Sequence, residues 1–136
     1  PLTVDLGHQW YFKPEGSHLL VSPADEQSSP PCDAWAEDLD VAIAVDRLDA
    51  VLDASPIGVE SSWAGLRTFA PDGVPVVGFD PRADGFFWLA GQGGYGMQTG
   101  PSMAVLAAGL AAGEGVSPAL AAFGLGEDDV SPRRFL

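Results

Sequence analysis

Residues 85–113 read GFFWLAGQGGYGMQTGPSMAVLAAGLAAG, and the rest of the chain is organised around them. The short apolar run 86–90 is rich in aromatic side chains, which predicts a strand covered on both faces. Dense glycines follow, and glycine permits positive φ and lets a ligand approach the backbone. Pro101 suits the first turn of a helix, because its nitrogen carries no hydrogen to leave unpaired there. The stretch therefore predicts a strand, a glycine-rich turn and a helix over 102–112.

A glycine turn that leads into a helix N-terminus favours anions, because free amides and the helix dipole point toward the ligand. The letters GQGGYG also satisfy the dinucleotide pattern G-x-G-x-x-G. That pattern requires a further strand after the helix, whereas GEGVSPALAAFGLGEDD follows here without a strand pattern. The local interpretation is a backbone that holds a polar group. The alternative is a glycine-rich connection that binds nothing.

Composition excludes several classes of partner. The chain has 136 residues, one domain's worth, and a formal charge of −13 from 19 acidic and 6 basic residues. This charge opposes binding to nucleic acid or anionic lipid. One cysteine, Cys32, rules out an intrachain disulfide and favours a cytoplasmic location. We expect no metal site, because the two histidines lie far from other ligand types, and no membrane insertion.

The first half of the chain predicts a hairpin and a helix. Residues 9–13 and 18–22 flank the turn-forming sequence PEGS, and alternation places Tyr11 and Lys13 on one face. Residues 37–54 have apolar positions at helical spacing and acids in the first turn, which predicts an amphipathic helix.

The second half predicts two strands before the central stretch. Residues 59–69 alternate so that Arg67 shares a face with Trp63 and Phe69, where a guanidinium could bind a carboxylate. The alternative for Arg67 is a structural ion pair. After the turn APDG comes a strand over 74–80. Behind the glycine stretch we expect a short helix over 117–124 and a polar tail.

The stretches SSWAGLRTFAPDGVPVVGFD and GFFWLAGQGGYGMQTGPSMA, with WYFKPEG, LLVSPADE and the SPRR ending, resemble the carboxy-terminal part of the FAD-dependent D-amino-acid oxidase-like (DAO) family. The resemblance covers nearly the whole chain. It is nearest to bacterial D-amino-acid dehydrogenases of the D-arginine type, and it extends to glycine and sarcosine oxidases. It implies oxidation of the CH–NH bond of an amino acid or secondary amine to an imine, with hydride transfer to non-covalently bound FAD.

The resemblance also implies roles for particular residues. Arg67 would hold the substrate carboxylate, Tyr11 would line the same pocket, and the carbonyl of Gly94 would accept a hydrogen bond from the substrate amine. The glycine loop and the helix after it would face the pyrimidine end of the flavin. The cofactor-binding residues so implied are Gly91, Gly93, Gly94, Tyr95, Gly96, Met97, Gln98 and Thr99. Gly94 and Gly96 are expected to need either positive φ or close approach of the flavin.

As a whole, we expect an α+β fold with an antiparallel or mixed sheet. The resemblance assigns residues 1–84 to part of a substrate-binding domain and 85–124 to the last strand, loop and helix of an FAD-binding domain, with 125–136 as the tail. The family's own pyrophosphate-binding fingerprint belongs to an amino-terminal segment. We therefore expect this chain to act with such a segment and to be inactive alone. The alternative function is a stand-alone acidic module whose loop holds a phosphate or carboxylate ligand without redox chemistry.

Overall fold

The computed structural model describes residues 1–52 and 58–136. The chain divides into two compact units, Pro1–Leu66 and Arg67–Leu136. Each unit combines helix with antiparallel strands, which confirms the α+β class. The assignment of 1–84 and 85–124 to a substrate and an FAD domain stays a prediction.

The first unit contains a three-stranded antiparallel sheet and one helix. The strands are β1 (Thr3–Val4), β2 (Tyr11–Glu15) and β3 (His18–Ser22), in that order. The predicted hairpin is confirmed, and it is tighter than expected. Glu15 pairs with His18, and Gly16 at φ +60° supplies the left-handed conformation that so short a turn requires.

The acidic helix α1 spans Asp38–Asp49 and buries Ala44 and Leu48. The sequence predicts its start to within one residue and gives it a later end, part of which lies outside the described residues. The predicted strand over 59–69 is wrong. Among its described residues only Phe69 forms a β-bridge, to Gln92, and an alternating pattern becomes a strand only where such pairing continues along it.

The second unit is built on a two-stranded ribbon and a long helix. Strands β4 (Val76–Phe79) and β5 (Phe87–Ala90) pair antiparallel. Helix α2 spans Gly96–Ala112 and is followed by α3 (Pro118–Ala121) and a 3-10 helix (Pro132–Phe135). One face of α2 packs on β4, in a core formed by Val77, Met103, Leu106, Leu110 and Val130.

Three expectations about this unit are corrected. Strand β5 is not covered on both faces, since Leu89 is 47% exposed in this unit. Helix α2 begins at Gly96, so Pro101 lies inside it and removes the hydrogen bond to the carbonyl of Met97. The predicted polar tail contributes Val130, which is 3% exposed, to the core. The predicted short helix is confined to α3.

The turn between β4 and β5 is organised by a buried carboxylate. Asp80 accepts hydrogen bonds from Arg82 Nε at 3.2 Å and from Trp88 Nε1 at 3.0 Å. These donors, Arg82 foremost, hold the pKa of Asp80 far below its ordinary value. The turn over 81–85 is therefore closed by a charge-assisted network.

Candidate functional site

The segment 67–70 lies alongside the glycine loop, which we define as residues 91–95. Phe69 bridges Gln92 antiparallel, and the amide of Gly93 donates to the carbonyl of Thr68 at 3.0 Å. A Cβ built on Gly91 would lie 3.3 Å from the amide nitrogen of Ala70. The same register runs from Ala70 opposite Gly91 to Arg67 opposite Gly94. The glycine loop therefore continues the direction of β5, and the segment 67–70 is its short antiparallel partner.

This register brings Arg67 and Gly94 together. Residues directly opposite in an antiparallel pair project to the same side. Accordingly, Nη1 of Arg67 lies 2.9 Å from the position that a Cβ would occupy at Gly94. The missing side chain at Gly94 leaves the space that the guanidinium uses. Two of the three residues predicted to touch the substrate are thus adjacent.

Phe69 covers the preceding glycine. Its Cε1 lies 2.6 Å from the Cβ position of Gly93, and Gly93 has φ +55°. Both facts require glycine here, because a side chain would be strained by its backbone conformation and would overlap the ring. Positive φ occurs at Gly91 and Gly93, whereas Gly94 and Gly96 are not in that region. Of the two alternatives expected for Gly94 and Gly96, positive φ therefore does not apply, and close approach of the flavin stays a prediction.

The N-terminus of α2 follows directly. Tyr95 is the N-cap residue, and its carbonyl accepts the amides of Gln98 at 3.0 Å and Thr99 at 2.9 Å. The amides of Gly96 and Met97 lie in the first turn, where a helix offers no internal partner. That turn holds no acidic residue, although the chain carries a charge of −13. The loop end is therefore a place where negative charge is stabilised.

The side chains around this terminus leave room on the outside. Met97 is 97% exposed and Tyr95 is 55% exposed in this unit. A Cβ at Gly96 would meet only Gln92 Cβ, at an ordinary 3.7 Å. A flat ligand could thus approach the loop backbone without displacing a neighbour inside the unit.

Tyr11 belongs to the other unit and is described separately. It is half-buried at the start of β2, opposite Ser22. Arg47 of α1 fastens this end of the hairpin, donating from Nη1 to the carbonyl of Gln9 at 2.8 Å and to that of Pro23 at 3.2 Å. Tyr11 therefore sits on a strand end held by a helix.

The described residues were predicted to hold neither a metal site nor a membrane-spanning helix. Within 1–52 and 58–136, no three histidine, cysteine, aspartate or glutamate side chains cluster as a metal site would require. No helix in the same ranges combines the length and the apolar character needed to cross a bilayer.

A comparison with known protein families identifies the family of this chain. The family model described as FAD dependent oxidoreductase (DAO) matches residues 1–110. The match covers most of the chain, which therefore belongs to the DAO family of FAD-dependent oxidoreductases. It includes β2, Arg67, the glycine loop and most of α2.

The residues of the second unit fit the cofactor of this family. A flavin ring is planar, and its pyrimidine end presents carbonyl groups that accept hydrogen bonds. The loop offers first-turn amides at Gly96 and Met97, no competing acid, and a glycine at 96 whose outer side is open. FAD placed here would be held by backbone groups rather than by charged side chains.

Two residues of this site escaped prediction. The sequence placed Phe69 on the face of Arg67 but did not predict its contact with Gly93. That contact depends on the bridge from Phe69 to Gln92, which no local sequence pattern predicts. Arg134 appeared only within the SPRR ending. Its guanidinium binds Asp72, Val74 and Pro75, which lie far away in sequence. Only a pairing of distant residues could have revealed either contact.

Proposed function

We propose that this chain supplies the substrate-carboxylate and flavin-ring contacts of an enzyme that oxidises the CH–NH bond of an amino acid or secondary amine. In this proposal it acts with an amino-terminal FAD-binding segment in the cytoplasm. The observation that carries the proposal is the placement of Arg67 against Gly94, at the entrance to the N-terminus of α2.

The proposed reaction uses the chemistry of FAD and the binding groups of this chain. When bound, FAD supplies the acceptor for the hydride that leaves the carbon bearing the amine. Arg67 binds the substrate carboxylate through two parallel hydrogen bonds, and the carbonyl of Gly94 accepts a hydrogen bond from the amine. Tyr11 lines the pocket. The amides at the start of α2 stabilise negative charge that develops on the ring.

A planar guanidinium and a neighbouring carbonyl discriminate among substrates. They hold the carboxylate and the amine of one α-carbon at the same time, and so orient that carbon toward the loop. This favours α-amino acids, and the D-amino-acid, glycine and sarcosine types all retain the two groups. The resemblance favours D-amino acids of the arginine type among them.

The test is a comparison of an amino acid with its decarboxylated amine in the full-length flavoenzyme. Arg67→Ala should lower kcat/KM for the amino acid by a factor that corresponds to roughly 3 to 5 kcal/mol of transition-state stabilisation. It should change kcat/KM for the amine little, since the amine brings no carboxylate. Arg67→Lys should be intermediate, because lysine cannot reproduce the fork. The exposed Arg133 gives a matched control, and Arg133→Ala should affect neither substrate. Equal losses for both substrates in Arg67→Ala would refute the assignment.

A second function has one observation in its favour. The first turn of α2 lacks acids, which would equally suit a phosphate or carboxylate ligand without redox chemistry. Titration of the purified chain with FAD and with inorganic phosphate separates the two. The flavoenzyme proposal expects no tight FAD binding by the chain alone, because the pyrophosphate contacts belong to the amino-terminal segment. Phosphate titrations are made at constant ionic strength and without FAD. Saturable phosphate binding under these conditions would favour the stand-alone module.

A further inference from the structure

The backbone pairing between the segment 67–70 and the glycine loop is short. The described pairing consists of one isolated bridge, Phe69 to Gln92, and the hydrogen bond from Gly93 to Thr68. A register slip by one residue would turn Arg67 to the opposite face. The path of the chain on either side of so short a pair therefore contributes to its register.

The candidate is the connection from this segment to β4. Ala70 lies opposite Gly91, while Val76 pairs with Ala90, the residue before Gly91. Residues 71–75, which we name the bulge loop, leave the ribbon between these two neighbouring partners. The path of the bulge loop thus decides how 67–70 meets the glycine loop.

Arg134 holds the bulge loop from outside the ribbon. Its Nε donates to Asp72 Oδ2 at 2.8 Å, and its Nη2 donates to the carbonyls of Val74 at 3.0 Å and Pro75 at 3.3 Å. Its Nη1 donates to the carbonyl of Ser131 at 3.1 Å. One side chain therefore satisfies groups at both ends of the loop.

The surroundings make this arginine a fixed anchor. Its side chain is only 16% exposed, and the hydrogen bond from it lowers the pKa of Asp72, which keeps that carboxylate charged. The backbone beside it is fastened to β4 as well, since the amide of Val77 donates to the carbonyl of Val130 at 2.8 Å. On the far side of the loop, Pro75 Cα lies 3.7 Å from the Cβ position of Gly91.

We propose that Arg134 is a positioning residue that keeps Arg67 opposite Gly94 by bracing the bulge loop. The bracing does not require Arg134 to touch substrate or flavin. The role in substrate binding rests on the function proposed for Arg67, whereas the bracing does not.

The bracing is tested in the chain itself by amide hydrogen exchange. Arg134→Ala should accelerate exchange at Gly93, whose partner is Thr68, by roughly fivefold or more relative to the amides of Leu106 and Leu110 in α2. Arg133→Ala, which removes an exposed arginine from the same 3-10 helix, should change neither group. Equal acceleration at Gly93 and in α2 would show a general loss of stability and would overturn the proposal, as would no acceleration.

A milder variant covers the case in which Arg134→Ala does not fold. Asp72→Asn retains the size of the side chain and removes the charge that pairs with Nε and Nη2. It should accelerate exchange at Gly93 selectively, to a smaller extent. If Arg134→Ala does not fold and Asp72→Asn leaves exchange at Gly93 unchanged, Arg134 stabilises the fold without bracing the bulge loop, and the proposal is overturned.

The link to Arg67 is tested in the full-length flavoenzyme by a double-mutant cycle. Arg134→Ala should raise KM for the amino acid by roughly fivefold or more relative to its amine analogue, and should add nothing further in an Arg67→Ala background. Additive losses would overturn the link. If Arg67→Ala itself fails to discriminate the two substrates, the proposed function fails, while the exchange measurement still decides whether Arg134 braces the loop.

Discussion

The guanidinium of Arg67 lies over the backbone of Gly94, with Nη1 2.9 Å from the place where a side chain would begin. The contact follows from the register in which the two residues face each other across a short antiparallel pair. A side chain at position 94 and the present position of the guanidinium exclude one another. This makes Gly94 a means of testing Arg67 without altering it.

Gly94→Ala should displace Arg67 while the fold persists. The atom that must move is the far end of a flexible side chain, so the melting temperature of the chain should change little. In the flavoenzyme, KM for an amino acid should rise by roughly tenfold, and that for its amine should not. Gly100→Ala is the matched control, because it is the same substitution at a glycine inside α2 where the added Cβ would meet nothing within 4 Å. A large loss of stability in Gly94→Ala would show that the backbone needs glycine for another reason.

Gly93→Ala should instead destabilise the chain. Its φ of +55° disfavours any Cβ, and that Cβ would overlap the ring of Phe69. We expect a loss of about 1 to 3 kcal/mol in the free energy of unfolding, measured with denaturant. In a Phe69→Ala background the same substitution should cost less, since only the backbone strain is left. An equal cost in both backgrounds would contradict the contact.

Gly96→Val should empty the flavin site of the full-length protein without unfolding this chain. A Cβ at Gly96 would have only an ordinary contact with Gln92, so we expect this unit to keep its fold in the variant. Flavin absorbance per protein in the purified variant gives the occupancy, and circular dichroism checks the fold. A variant that purifies fully loaded with flavin would show that the ring does not approach this residue.

The carboxylate of Asp80 should make the second unit sensitive to acid. Its pKa is lowered in the folded state by Arg82 and Trp88, so its contribution to stability is present above its ordinary pKa, roughly 4, and declines as the pH falls toward the folded value. Asp80→Asn should lower stability at pH 7 and flatten this part of the stability profile. Denaturant midpoints between pH 7 and pH 2 measure it. Parallel profiles for both proteins would show that Asp80 does not contribute the slope.

Local patterns predicted local structure. The hairpin around Gly16, the start of α1 near Asp38 and the glycine loop all follow from residues that are neighbours in sequence. The adjacency of Arg67 and Gly94 also fits the roles that the family resemblance implied for them. Those roles stay predictions.

What failed depended on distant partners. The alternation in 59–69 predicted a strand, yet among the described residues of that segment only Phe69 forms a β-bridge, and none belongs to a strand ladder. The final residues look polar, but Val130 enters the core and Arg134 reaches Asp72 because β4 passes beside them. No short stretch of sequence contains both residues of such a contact. Local composition therefore predicts that each of them is exposed to solvent.

The brace formed by Arg134 has a consequence for the order in which the second unit assembles. Asp72 and Arg134 are 62 positions apart, so closing this contact costs more chain entropy than the ribbon of β4 and β5 or the turns of α2. Contacts of such separation form late during folding. On the ribosome, Arg67 and Gly94 would both emerge long before the residue that holds them in register. The pair formed by residues 67–70 and the glycine loop would thus stay loosely held until Arg134 emerges and fixes the bulge loop.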